Sequence, residues 1–168
     1  VRSATNLGIA VGNTPGVLTE TTADFTFAML LASARRVVDG DNFVRDGHWK
    51  TWGPNVLLGH EVFGATIGIV GFGAIGQAVA RRASGFSMKV LCTRRSDAPI
   101  PPNVDASLTS LDSLLKESDF VSLHIPLNQE TRHLIGSREL SLMKDTAILI
   151  NTARGGIIDQ NALVSALK

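Results

Sequence analysis

Cysteine is nearly absent from this chain: Cys92 stands alone among 168 residues. No internal disulfide can form, and no CxxC or Cys/His cluster offers a metal site. That usage suits a reducing compartment. No charge of either sign dominates, since 16 Lys and Arg stand against 15 Asp and Glu for a net charge of +1. Interspersed charges of this kind make no polyanion-binding stripe, so neither nucleic acid nor a membrane surface is an expected partner. No apolar run is long enough to span a bilayer; the longest, Phe25 to Ala34, is interrupted by Thr26 and Ser33. The N-terminal VRSATNLGIAV lacks the pattern of a signal or transit peptide. Repeats and low-complexity segments are missing as well. The expectation is a soluble, cytoplasmic protein. Its 44% apolar and 18% charged residues exclude a disordered chain and leave one domain with a real core.

What is present has a rhythm. Ile9 to Val11 read as a short strand, ended by the turn Gly12-Asn13-Thr14-Pro15-Gly16. A long helix is expected from Glu20 to Arg45, with Thr19 as its N-cap. Its first half, ADFTFAMLLASA, is apolar on nearly every face and so reads as buried on several sides, between domains or subunits. Residues 46–63 form an irregular excursion that holds both tryptophans, Trp49 and Trp52. From Gly64 strands and helices alternate. Strands are predicted at Thr66–Val70, Lys89–Thr93, Phe120–Ile125 and Ala147–Asn151. Helices are predicted at Ala74–Ser84, Leu111–Lys116, Ser137–Met143 and Gln160–Leu167. The loop from Asp97 to Asp105 carries three prolines and cannot be helix interior. Four apolar strands alternating with helices imply an α/β fold, a doubly wound parallel sheet covered on both faces.

TIGIVGFGAIG sets Gly71, Gly73 and Gly76 in a G-x-G-x-x-G array directly after one strand and at the start of a helix. Gly71 permits the tight turn, Gly73 lets a pyrophosphate approach the backbone, and Gly76 lets the helix pack closely on the strand. The phosphates of a dinucleotide would then meet the free N–H groups that open the helix, at Ala74, Ile75 and Gly76. About 20 residues on, an acidic side chain at the second strand end would bind a ribose 2′-hydroxyl. The sequence there is VLCTRRS, with Arg94 and Arg95 and no acid. A guanidinium makes charge-assisted, often bidentate, bonds to phosphate, so NADP(H) is favoured over NAD(H). Thr93 and Ser96 are candidates for added hydroxyl contacts. The other reading of the arginines is a solvated loop charge, with Asp97 close by.

The third strand ends in LHIPL and the fourth in LINTARGGIID. Ligands of a doubly wound sheet bind beyond the carboxyl ends of its strands, so Pro126 and Arg154 fall on the cofactor side. An arginine beside a nicotinamide can bind a substrate carboxylate and polarise the adjoining carbonyl. Taken alone, Arg154 reads more readily as a surface or helix-capping residue.

NTPGVLTETTAD, GIVGFGAIGQAVA, SDFVSLHIPLNQETRHLIG and LINTARGGIIDQNAL occur in this order and spacing. Together they resemble the D-isomer-specific 2-hydroxyacid dehydrogenase family across essentially the whole chain. Within that family, the strand-end arginines and the segment DGHWKTWGP look most like the glyoxylate/hydroxypyruvate reductases. The resemblance implies a Rossmann-like domain and NADPH-dependent reduction of a small 2-keto acid to the D-2-hydroxy acid by hydride transfer. It implies Arg154 as the arginine of a catalytic Arg, Glu and His trio. It implies cofactor contacts at Thr22, at the loop Gly71, Gly73, Ala74, Ile75 and Gly76, and at Arg94, Arg95, Ile125, Pro126, Thr131, Thr152 and Ala153. It also implies a homodimer, in which Trp52 would reach the substrate pocket of the partner subunit while Trp49 packs.

On this resemblance, residues 1–63 are the interdomain or dimerisation helix and loop, and residues 64–168 are a dinucleotide-binding domain that is C-terminally incomplete. The family's substrate-binding lobe is expected before Val1, and the strands bearing its Glu and His after Lys168. The truncated chain alone is expected to bind cofactor weakly and not to turn over. His48, His60, His124 and His133 read as structural or solvent-facing, and Asp159 as a helix-opening carboxylate. Other readings keep the fold and change the task. A dinucleotide-sensing, corepressor-like binding protein would want NAD(H), which the arginines disfavour. A non-catalytic cofactor-binding module has little use for the TARGG segment. A phosphoglycerate- or phosphonate-type dehydrogenase would place an acid at the second strand end.

Overall fold

A computed structural model of the chain describes residues 1–95 and 99–168. Its centre is a five-stranded parallel sheet built from β1 (Thr66–Val70), β2 (Lys89–Thr93), β3 (Ser107–Leu108), β4 (Phe120–Leu123) and β5 (Ile148–Asn151), in the order β3-β2-β1-β4-β5. The helices are α1 (Arg2–Asn6), α2 (Thr19–Ala34), α3 (Val37–Arg45), α4 (Ala74–Ser84), α5 (Leu111–Glu117), α6 (Ser137–Leu142) and α7 (Gln160–Ala166), with a 3₁₀ turn at Gly155–Ile157. The doubly wound fold expected from the strand–helix alternation is what forms.

Alternation along each strand assigns its side chains to two cores. On one face Ile67 and Ile69 of β1, Val90 and Cys92 of β2, and Phe120 of β4 meet α2 and α4 through Phe27, Leu30, Ala78, Val79 and Ala83. On the other, Val70, Leu91, Val121 and Leu123 meet Leu114 and Leu115 of α5, with Ile135 and Ile157. β1, β2 and β4 are therefore buried at successive positions because both of their faces are covered. Side chains cap two helices where the sequence supplies acceptors. Ser110 Oγ accepts from the Ser113 amide to open α5, and Asp159 Oδ1 accepts from the Ala162 amide to open α7.

Helix α2 belongs to the first core, packing on α4 and β5. Phe27 stacks on Phe86 with ring centroids 5.6 Å apart. A charged clasp reinforces the contact: Arg81 Nη2 donates to Glu20 Oε1 at 2.8 Å, and Arg82 donates to both Glu20 and Asp24.

The single long helix expected from 20 to 45 is two helices. Arg36 takes a left-handed backbone, φ +53°, which ends α2 and starts α3 in a new direction. Thr19 is the first helical residue of α2 rather than its cap, a place held by Leu18. Ile9 to Val11 pair with no strand and are exposed, so the short strand expected there does not form. The edge strand β3 carries no hydrophobic pattern and was not expected from the sequence. Among the described residues, no helix is long and apolar enough to cross a membrane.

Candidate functional site

The strand order turns back between β1 and β4, because β1 is followed outward on one side by β2 and β3 and on the other by β4 and β5. A crevice opens at such a point, just past the carboxyl ends of the strands. Here it is a cavity of about 600 Å³. Its floor is Val70, Gly71, Phe72 and Gly73 at the end of β1. Thr93, Arg94 and Arg95 come from the end of β2, and His124, Ile125, Pro126, Glu130 and Thr131 from the chain beyond β4. Leu111 and Leu134 add apolar wall.

Gly71 is required by the turn. Its φ is +98°, its amide donates to Thr93 O at 3.1 Å, and a Cβ built on it would lie 2.6 Å from the carbonyl oxygen of His124. Gly73 differs: a Cβ there meets no protein atom within 4 Å and projects into open space. Gly73 is also the N-cap residue of α4, and no side chain caps that helix. The amides of Ala74, Ile75 and Gly76 therefore open an 11-residue helix without a side-chain acceptor of their own. An uncapped helix start behind a bare cradle fits the phosphates of a dinucleotide.

The rim is cationic. Arg94 is half-buried, and its Nε, fully shielded from water, has no hydrogen-bond partner among the described residues; Nη1 reaches Pro99 O at 3.4 Å. Arg95 is exposed and pairs with Glu130 at 2.9 Å. Ser96 and Asp97, also considered from the sequence, lie outside the described residues.

Thr131 lines the cavity, but its hydroxyl donates to Pro126 O at 2.6 Å and accepts from the Asn128 amide at 2.8 Å. Asn128 Oδ1 in turn accepts from the amides of Glu130 and Thr131 at 2.9 and 3.0 Å. These bonds fix the loop that carries Ile125 and Pro126. His124 has Nε2 2.8 Å from Ser122 Oγ, and burial pushes its imidazole down to about 4. It is neutral at pH 7 and suits a wall better than an acid.

Thr22, Thr152, Ala153 and Arg154 do not line the cavity. The packing of α2 on β5 does link the two threonines through the Thr26 hydroxyl, by way of the Thr22 carbonyl and the Thr152 hydroxyl. Thr26 Oγ1 donates to Thr22 O at 2.9 Å and lies 2.9 Å from Thr152 Oγ1. Beyond β5, Asn151 closes the turn: its Nδ2 donates to Arg154 O at 2.9 Å and its Oδ1 accepts from the Ala153 amide at 3.0 Å. Arg154 is exposed, with Nη1 on Ala153 O at 2.8 Å. Trp52 is 74% exposed in the segment between α3 and β1, and Trp49 is 49% exposed. Sequence reading missed Val70, Phe72, Leu111, His124, Glu130 and Leu134 as cavity wall. Only Glu130 had a signal, the turn-forming Asn128 two residues earlier. No cluster of metal-ligating side chains exists among the described residues.

A glycine turn from a central parallel strand into an uncapped helix, faced by arginines from the neighbouring strand, defines a dinucleotide-binding domain of the doubly wound class. The chain belongs to the D-isomer specific 2-hydroxyacid dehydrogenase family, whose NAD binding domain matches residues 27–168. A glyoxylate reductase of Korarchaeum cryptofilum is 56% identical over 172 residues, covering the whole of this chain and 51% of that protein. A glyoxylate reductase of Thermococcus litoralis is 54% identical, with 52% of its length covered. Among solved structures, the TT0316 protein from Thermus thermophilus is 53% identical with a TM-score of 0.93, over 99% of this chain and 52% of that one. The chain thus spans about half the length of these relatives.

Proposed function

We propose that this domain serves an NADPH-dependent reductase of small 2-keto acids, glyoxylate or hydroxypyruvate, giving the D-2-hydroxy acid. The observation that carries the cofactor choice is the rim of the cavity at the end of β2, where two guanidinium groups, Arg94 and Arg95, stand together. A half-buried guanidinium whose Nε finds no acceptor among the described residues favours a ligand bearing phosphate over one bearing a hydroxyl. The substrate class is supported by the names of the relatives and by the family's TARGG turn.

In this reading the bound dinucleotide supplies hydride. Gly73 and the opening amides of α4 take its pyrophosphate, Arg94 and Arg95 its 2′-phosphate. Ile125 and Pro126, held by Thr131, form the wall beside it. Thr22, Thr152 and Ala153 support the nicotinamide end, and Arg154 holds the substrate carboxylate, orienting the carbonyl for attack. Residues 1–63, with α2, α3 and the exposed Trp52, act in a homodimer in which Trp52 meets the partner's substrate.

Steady-state kinetics of the full-length protein test this. NADPH is expected to support higher kcat/KM than NADH with glyoxylate, and Arg154→Gln is expected to lower kcat/KM for the keto acid about a hundredfold or more. A preference for NADH would overturn the cofactor reading. An Arg154→Gln enzyme with unchanged kinetics would overturn the assignment of the substrate carboxylate.

A further inference from the structure

Glu130 stands on the opposite wall of the cavity from Arg95. The loop beyond β4 places it there: Asn128 Oδ1 takes the amides of Glu130 and Thr131, and Thr131 is tied to Pro126 O. Its Oε2 lies 2.9 Å from Arg95 Nη2. Because β1 separates β2 from β4 in the sheet, this ion pair joins the two flanks of the cleft across the end of the central strand. Both side chains are about two-thirds or more exposed, at 67% and 73%, so the pair adds little to stability and opens readily. It belongs to neither hydrophobic core and no other side chain bonds to it among the described residues.

We infer that Glu130 is an intramolecular competitor for Arg95, a specificity residue that weakens binding of 2′-phosphorylated dinucleotides and leaves 2′-hydroxyl dinucleotides untouched. The inference rests on the NADP(H) reading and gives that site its counterweight. A carboxylate and a phosphate seek the same edge of the guanidinium fork. A phosphate monoester carries more charge and displaces the carboxylate. The displaced Glu130 loses its ion pair, and that loss is subtracted from what the phosphate gains at Arg95. A ribose hydroxyl does not displace the carboxylate and leaves the pair intact. The arginines therefore set the direction of the cofactor preference, and Glu130 limits its size.

Glu130→Gln keeps the length of the side chain and the backbone turn while removing the charge. In the full-length protein, fluorescence titration is expected to show NADPH and 2′-AMP binding about three- to tenfold tighter in Glu130→Gln, with NADH unchanged. The gain is expected to shrink at high salt. In an Arg95→Ala background, where NADPH binds more weakly, Glu130→Gln should no longer tighten it, because the competed donor is gone. If Arg95→Ala weakens NADPH but Glu130→Gln changes nothing, the competitor fails while the NADP(H) reading stands. Equal tightening with and without Arg95 overturns the mechanism and leaves only general repulsion. If Arg95→Ala and Arg94→Ala both leave NADPH binding unchanged, the NADP(H) reading fails and this inference goes with it.

Discussion

A methyl group added at Gly71 would sit 2.6 Å from a backbone carbonyl, on a residue whose φ is +98°; one added at Gly73 would meet nothing of the protein. The two glycines of one motif therefore differ: the protein's own backbone demands glycine at the first and makes no such demand at the second. Gly71→Ala is expected to lower thermal stability. Gly73→Ala is expected to leave the melting temperature within about a degree, since exposed substitutions that touch nothing cost little, yet to weaken dinucleotide binding. Paired melting curves and titrations separate the two. His124 supplies a second prediction. The unfolded imidazole takes a proton near 6.5, and the folded one resists until about 4. Between those values the unfolded state holds more protons, so stability present above pH 6.5 is lost as pH falls toward 4. The loss amounts to at most about 3 kcal/mol. Urea unfolding across this range should show that slope in the wild type and a flatter one in His124→Asn. At this scale the glycine and arginine positions were legible because their chemistry is local. The bond from Thr131 to Pro126 O and the pairing of Glu130 with Arg95 were not, since residue types alone do not reveal the loop that turns them toward each other.

Helices and strands were legible where both faces of an element are loaded with apolar residues. β1, β2 and α4 begin and end where hydrophobic runs and glycines place them. The failures have physical causes. Nothing at Arg35-Arg36 resembles a helix breaker, yet the chain turns there through a left-handed residue. The cost of that backbone, about 1–2 kcal/mol, is borne because Gly59 and His60 dock on the last turn of α2, where the His60 amide donates to Ala34 O at 2.8 Å. That contact comes from about 25 residues away in sequence and leaves no local mark. Strand β3 exists only because β2 offers it an edge. The docking of α2 on α4 is equally non-local, and its charged clasp is testable. Hydrogen bonding to Arg82 holds the Glu20 carboxyl below its ordinary value, against a smaller opposing effect of desolvation. Arg82→Ala is expected to lower the melting temperature by a few degrees at pH 7. The deficit should narrow as pH falls from about 4.5 through the lower folded value, because the wild type then loses the same pairing. Melting curves at pH 7 and pH 3 decide it. A deficit of equal size at both would place the effect in packing of the arginine stem.

Across the whole molecule, β1 is the middle strand, and its two neighbours join it at different distances along the chain. Ile67 pairs with Val90 on one side and with Phe120 on the other. Closing the second, longer loop costs about 0.7 kcal/mol more than closing the first, and that loop holds α4, β2, β3 and α5. The cleft lies on that later seam. Its two walls are expected to come together late, past the main barrier to folding, because the longer loop closes after the shorter one. A ligand that fills the cleft then has nothing to hold until folding is almost over, and its stabilisation falls on the reverse reaction. Stopped-flow measurements with and without saturating NADPH are expected to show refolding at one rate and unfolding slowed by the bound dinucleotide. On that outcome, a dinucleotide held across the β1–β4 seam is a brake on escape from the native state and no aid in reaching it.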